Sequence, residues 1–147
     1  QWLRRAALLE VYEVREALEV QAARLAAARR TDDDIAMLRT ALAARIRARG
    51  NGRDARFVEA DLDFHRAVIA AAHNQLLAEM FGSFTAVLRE ALVAVVSDRE
   101  FDEVNSSPAH ERLAAAIEAG DVAGAEQATH EHIDPSAAVL RSLTSQH

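Results

Sequence analysis

Glu59-Ala60-Asp61-Leu62-Asp63-Phe64-His65-Arg66-Ala67-Val68 reads as one helix. Its apolar residues recur at helical spacing, with Phe57, Phe64, Val68 and Ile69 on one side. A helix places residues i and i+4 on the same face, so Asp61 and His65 stand one turn apart. Asp61 lies one turn before both His65 and core-facing Phe64 and is expected to be at least partly inside. A buried carboxylate is costly unless it is paired or coordinated.

The same periodicity extends in both directions. Leu8, Val11, Val14, Leu18, Ala22 and Leu25 predict a long amphipathic first helix from about Trp2 to Arg30. Thr31 followed by Asp32, Asp33 and Asp34 is a helix start, a capping hydroxyl and then carboxylates against the dipole. The second helix runs through Ile35, Leu38, Leu42 and Ile46 to the turn at Gly50-Asn51-Gly52. The third starts near Asp54 and ends or kinks at Asn74, and the fourth spans about Gln75 to Ser97. Asp98 to Ser106 is a polar connection. Ser107 caps a fifth helix that has Pro108 in its first turn and stops at Gly120. Asp121 caps the sixth, which carries His132 and Pro135. Pro135 lacks the amide that would bond residue 131 and clashes with that turn, so a kink or break is expected just after His132. No strand alternation, internal repeat or low-complexity tail is present. The predicted fold is an all-α antiparallel bundle of six to seven helices.

Composition agrees with this and narrows the function. The 147 residues suit one domain, and scarce Gly (5) and Pro (2) favour helix. With 23 acidic against 17 basic residues, the net charge of −6 disfavours a broad basic surface for nucleic acid. Arg29, Arg30, Arg45, Arg47 and Arg49 read as a solvated face. There are no cysteines, which excludes disulfides and thiolate ligands and is compatible with a reducing, cytoplasmic setting. No apolar run approaches a membrane span, and no signal-peptide pattern is present. The chain begins at Gln1 rather than Met, as expected of a fragment or processed chain with a domain upstream.

Two further histidines, His110 and His132, fall on the fifth and sixth helices. Four N/O donors from three helices make a credible transition-metal site, and imidazole with carboxylate suits zinc, nickel, copper or iron. The plainer alternative pairs Asp61 with His65 or a nearby arginine and leaves the other histidines at the surface. His73, His130 and His147 read as solvent-exposed. Arg15, beside Val14 and Leu18, is either a clamp for an anionic ligand or a salt-bridge partner of Glu16 or Glu19. There is no His-Glu-x-x-His motif, Gly-rich phosphate loop or nucleophile elbow.

Several blocks occur in a telling order: Glu13-Val14-Arg15-Glu16-Ala17-Leu18-Glu19, Ala22-Ala23-Arg24-Leu25-Ala26-Ala27, and Asp61 to Val68. They are followed by Ala72-His73-Asn74-Gln75-Leu76-Leu77, His110 to Asp121, and Ala125 to His132. This order resembles the FCD effector domain, the C-terminal ligand-binding domain of the FadR subfamily of GntR transcription regulators. The resemblance runs from about Leu9 to Leu143.

It implies a helical bundle with a central cavity and a divalent metal, zinc or nickel, held by Asp61, His65, His110 and His132. Arg15 and Asn74 would stand near the cavity, where a small carboxylate effector binds. It also implies a homodimer that reaches operator DNA through an N-terminal winged helix-turn-helix absent from this chain. The family often has Gly where this chain has His73. A sensor rather than an enzyme is therefore expected. The rivals are a metal-dependent hydrolase or lyase, for which Asp63 and Glu59 point away from the Asp61/His65 face, and a metal-free dimerisation bundle.

Overall fold

The computed structural model describes residues 5–50, 52, 54–96 and 108–144. Among these residues there are six helices and no strand: α1 (Arg5–Arg29), α2 (Asp32–Gly50), α3 (Ala55–Ala71), α4 (Gln75–Val96), α5 (Pro108–Ala119) and α6 (Val122–Thr144). The all-α bundle is as the sequence predicts. The expected start of the first helix at Trp2, the Asp98–Ser106 connection, the Ser107 cap and His147 lie outside the described residues.

Helix boundaries follow from capping chemistry. Thr31 and Asp34 form a reciprocal box: Asp34 N–H donates to Thr31 Oγ1 (3.1 Å) and Thr31 N–H to Asp34 Oδ2 (2.8 Å). Asp54 accepts from Arg56 N–H and Phe57 N–H, which starts α3. Asn74 Oδ1 accepts from Leu77 N–H (3.0 Å) and starts α4, while Asp121 Oδ1 accepts from Gly124 N–H (2.9 Å) and starts α6. Between α5 and α6, Gly120 takes φ +72°, the left-handed conformation that ends a helix at little cost in glycine. At the end of α3 the corresponding positive φ, +49°, falls on His73.

Helix α1 packs against α6, α3, α4 and α5, and α2 packs against α3 and α5. The core is built around Tyr12, Leu38, Phe57, Leu62, Phe64, Phe81, Leu88, Leu113, Ile117 and Ile133, all buried.

Three expectations need correction. The buried stripe of α1 is rotated from the predicted one: Val14 is 48% exposed, while Leu8, Val11, Tyr12, Arg15, Glu19, Ala22 and Ala26 face inward. On α2, Ile46 is exposed and Arg45 is buried. Arg45 therefore leaves the predicted solvated face, because it continues the Leu38–Leu42 stripe by three residues and meets a buried carboxylate there. Finally, α6 does not break at Pro135 but continues to Thr144. The carbonyl that loses its amide partner belongs to Glu131, an exposed residue, while buried Ile133 and Ala137 hold the two flanks.

Candidate metal centre

The rotation of α1 and the burial of Arg45 give the bundle a polar interior. Arg15 and Glu19 come from α1, Arg45 from α2, Asp61 and His65 from α3, His110 from α5 and His132 from α6. Each is at most 6% exposed. Phe64 caps the group with ring contacts to His65 and His110, both at 5.4 Å between centroids.

The three histidines offer ring nitrogens that all lie within 4.8 Å of one another. Their ring centroids are 4.6 Å apart for His110 and His132, 5.0 Å for His65 and His132, and 5.5 Å for His65 and His110. Asp61 Oδ1 stands 3.4 Å from His110 Nε2 and 3.5 Å from His65 Nε2. Donors around a tetrahedral ion with bonds of about 2.0–2.1 Å stand roughly 3.3–3.4 Å apart. Asp61 is also gripped by Arg45, whose Nε donates to Oδ1 across 2.7 Å and whose guanidinium lies 4.9 Å from the Phe57 ring centre.

Hydrogen bonding distinguishes this cluster from an ordinary polar core. His110 Nδ1, His110 Nε2 and His132 Nε2 are sealed from solvent and have no hydrogen-bond partner. Asp61 Oδ1, 3.4 Å from His110 Nε2, is within ion-pair distance but makes no regular hydrogen bond to it. Buried polar atoms are nearly always satisfied, so these call for a ligand. The donor set of three imidazoles and one carboxylate fits a borderline divalent ion.

His65 is held on both sides. Glu19 Oε1 is 2.5 Å from Nδ1, in an ion-pair contact off the line of a regular hydrogen bond, and Arg15 Nη2 is 3.0 Å from Nε2. Arg15 Nε in turn donates to Glu19 Oε2 across 2.5 Å.

Electrostatics follow from burial and these partners. Burial, reinforced by Arg45 and His65, takes the His110 pKa down to about 4. Burial, then the neighbouring His110 and His65, puts His132 well below an ordinary histidine. Both rings are therefore neutral near pH 7, the form that ligates metal. For His65, burial pulls downward but Glu19 and Asp61 push harder upward. Burial alone would raise both carboxyls. Instead His65, His110 and Arg45 hold Asp61 well below the usual range, and Arg15 with His65 brings Glu19 to about 2.

The structure thus gathers Asp61, His65, His110, His132 and Arg15, and the salt bridge foreseen between Arg15 and Glu19 is present. Asn74 is engaged elsewhere, capping α4 beside Ile69 and Ala78. Sequence reading missed Arg45, and it saw Glu19 only as a salt-bridge partner. A charged residue at a buried-stripe position was the available signal for each. Glu59 pairs with Arg89 and Asp63 with Arg66, apart from the cluster. His73 is exposed, as expected. His130 is half-buried rather than free, with Glu16, Asp134 and Glu126 carboxylates at 3.2, 3.6 and 3.9 Å.

Comparison with known proteins bears on the family and the fold. Residues 10–135 match the model of the FCD domain. The chain is 33% identical over 132 residues to the galactonate operon transcriptional repressor of Escherichia coli (strain K12), covering 90% of this chain and 57% of that protein. It is 30% identical over 128 residues to the HTH-type transcriptional regulator LutR of Bacillus subtilis (strain 168), covering 84% of this chain and 58% of that one. The chain therefore spans little more than half the length of these relatives. The E. coli McbR/YncC structure superposes with a TM-score of 0.77 at 23% identity, over 94% of this chain and 69% of that one, and so shares the fold. On these matches the chain belongs to the FCD domain family, the domain of FadR-type GntR transcription regulators.

Proposed function

We propose that this chain is the effector-sensing domain of a transcription regulator, holding a divalent metal, zinc or nickel, at Asp61, His65, His110 and His132. The observation that carries the reading is the pair of buried Nε2 atoms on His110 and His132 that make no hydrogen bond, beside Asp61 and His65. When bound, the metal supplies Lewis acidity that anchors a carboxylate. The protein does the rest. Neutral His110 and His132 offer lone pairs without first losing protons, Arg45 orients Asp61, and Phe64 excludes water from one side of the cluster. Arg15 supplies a guanidinium, whose fork geometry matches a carboxylate.

The effector class is a small carboxylate. That one relative is named for a galactonate operon, and galactonate is a sugar-acid carboxylate, supports this class. The proposed device is a sensor and not an enzyme. Effector binding changes operator affinity through an N-terminal DNA-binding domain, by favouring one arrangement of a homodimer over another. The α4 face with exposed Leu76 (67%) and Met80 (51%), next to Phe84 and Val87, supports a second copy as partner. No helix among the described residues is long and apolar enough to cross a membrane.

Elemental mass spectrometry on the purified, tag-free chain tests the metal. The expected result is about one equivalent of zinc or nickel. It is lost in His110→Ala and Asp61→Ala, while the helical circular-dichroism signal stays. An absence of metal after incubation with both ions would sink the reading.

A further inference from the structure

His65 has a charged neighbour at each ring nitrogen, Glu19 at Nδ1 and Arg15 at Nε2. A carboxylate oxygen stands 2.5 Å from Nδ1, and its negative charge favours a proton on that nitrogen. An arginine N–H 3.0 Å from Nε2 would set two protons against each other unless Nε2 is bare. Arg15 Nη2, at 3.0 Å, stands closer to Nε2 than Asp61 Oδ1 does at 3.5 Å, and its contact fits the ring form with a lone pair on Nε2. That lone pair has one direction in the ring plane, and the Arg15 guanidinium takes it. A metal ligated by His65 needs the same lone pair, at about 2.0–2.1 Å. The two cannot share it.

We infer that Arg15 and the metal exclude each other at His65 Nε2, so that ligation displaces the Nη2 edge of Arg15 and presents it to the effector's carboxylate. This rests on the metal reading above. Arg15 keeps its anchor during the exchange, because Nε remains bonded to Glu19 Oε2 and only the outer edge has to turn. Charge points the same way. Arg15 and Glu19 pair with each other, and so do Arg45 and Asp61, all inside the bundle. A dication added to these balanced pairs leaves positive charge in a poorly screened interior, which an anion then neutralises. Arg15 is thus a positioning residue with two states, a plug on His65 before metal and half of an anion clamp after it. Metal binds first and the carboxylate second.

A plug has a consequence opposite to that of a merely structural residue: its removal tightens metal binding. Zinc alone is titrated against a chromophoric chelator into the unaltered chain, Arg15→Met, and the charge-balanced Arg15→Met/Glu19→Gln, with circular dichroism to certify folding. Arg15→Met is expected to bind zinc about tenfold more tightly, the factor that one charge-assisted hydrogen bond is worth. The double variant is expected to bind more tightly than the unaltered chain by a smaller factor, and it carries the test if the single one does not fold. Equal or weaker zinc affinity in the folded variants, with zinc bound normally by the unaltered chain, overturns the plug and leaves the metal reading standing. No zinc in the unaltered chain overturns both.

Discussion

Arg45 Nε donates to Asp61 Oδ1 across 2.7 Å, and both side chains are almost sealed from water, at 1% and 8% exposed. The pair links α2 to α3 directly behind the histidines. Removing one partner of a buried pair strands the other charge, which costs about 3–5 kcal/mol, whereas replacing both is far milder. Arg45→Met is therefore expected to lower metal-free stability by roughly that amount, about 3–5 kcal/mol. Arg45→Met with Asp61→Asn should lose markedly less. Urea denaturation of the two variants in a chelating buffer checks the difference. Equal losses would mean that the charges do not act as a pair.

Acid should destabilise the metal-free domain in two stages. His110 binds its proton only near pH 4 in the folded state but near 6.5 when unfolded. Through that window the unfolded chain takes up a proton the folded one refuses, so stability falls as pH falls. His132 is shifted in the same direction. Glu19, lowered from 4.5 to about 2, adds a second loss as pH drops through that lower window. His65 acts oppositely: its raised pKa favours the fold on the acid side, and that contribution is lost as pH rises through it. The expected profile is a declining urea midpoint from about pH 7 to about pH 4, flatter in His110→Gln. A slope unchanged in that variant would remove His110 as its source.

His73 occupies a conformation suited to glycine, φ +49°, and its Nε2 sits 2.6 Å from Asp34 Oδ2 at the start of α2. The left-handed backbone costs a non-glycine residue roughly 1–2 kcal/mol. A half-exposed pair of this kind returns about 0.2–1 kcal/mol. His73→Gly is expected to stabilise the domain by about 0.5–1 kcal/mol, because strain outweighs the pair. His73→Ala keeps the strain and loses the pair, so it should destabilise. Thermal melts of the two variants moving in the same direction would contradict this balance.

Much of the fold is written in local chemistry. Thr31, Asp54 and Asp121 mark helix starts, and the structure uses each as a cap; Gly120 ends α5 at the predicted place. Asp61, His65, His110 and His132 announce themselves by residue type and by i+4 spacing. Helix phase was harder to read. Val14 and Arg15 differ by one position, and apolar periodicity favoured Val14 for the inside, yet Arg15 faces in. The reason is tertiary, since Arg15 and Glu19 are buried only because His65 arrives from another helix to meet them. Arg45 was hidden for the same cause. Its partner Asp61 lies across a helix turn and a loop, and a single chain of letters displays charges without their pairings.

The three imidazoles come from α3, α5 and α6, segments with no backbone continuity at their meeting point. A cation shared by them would be a removable cross-link. Each bond it makes would tether a helix that could otherwise open independently, and dissociation would require the bonds to be absent together. Exchange of the ion and opening of the bundle would then be one event, so that the residence time of the metal reports the breathing of the domain.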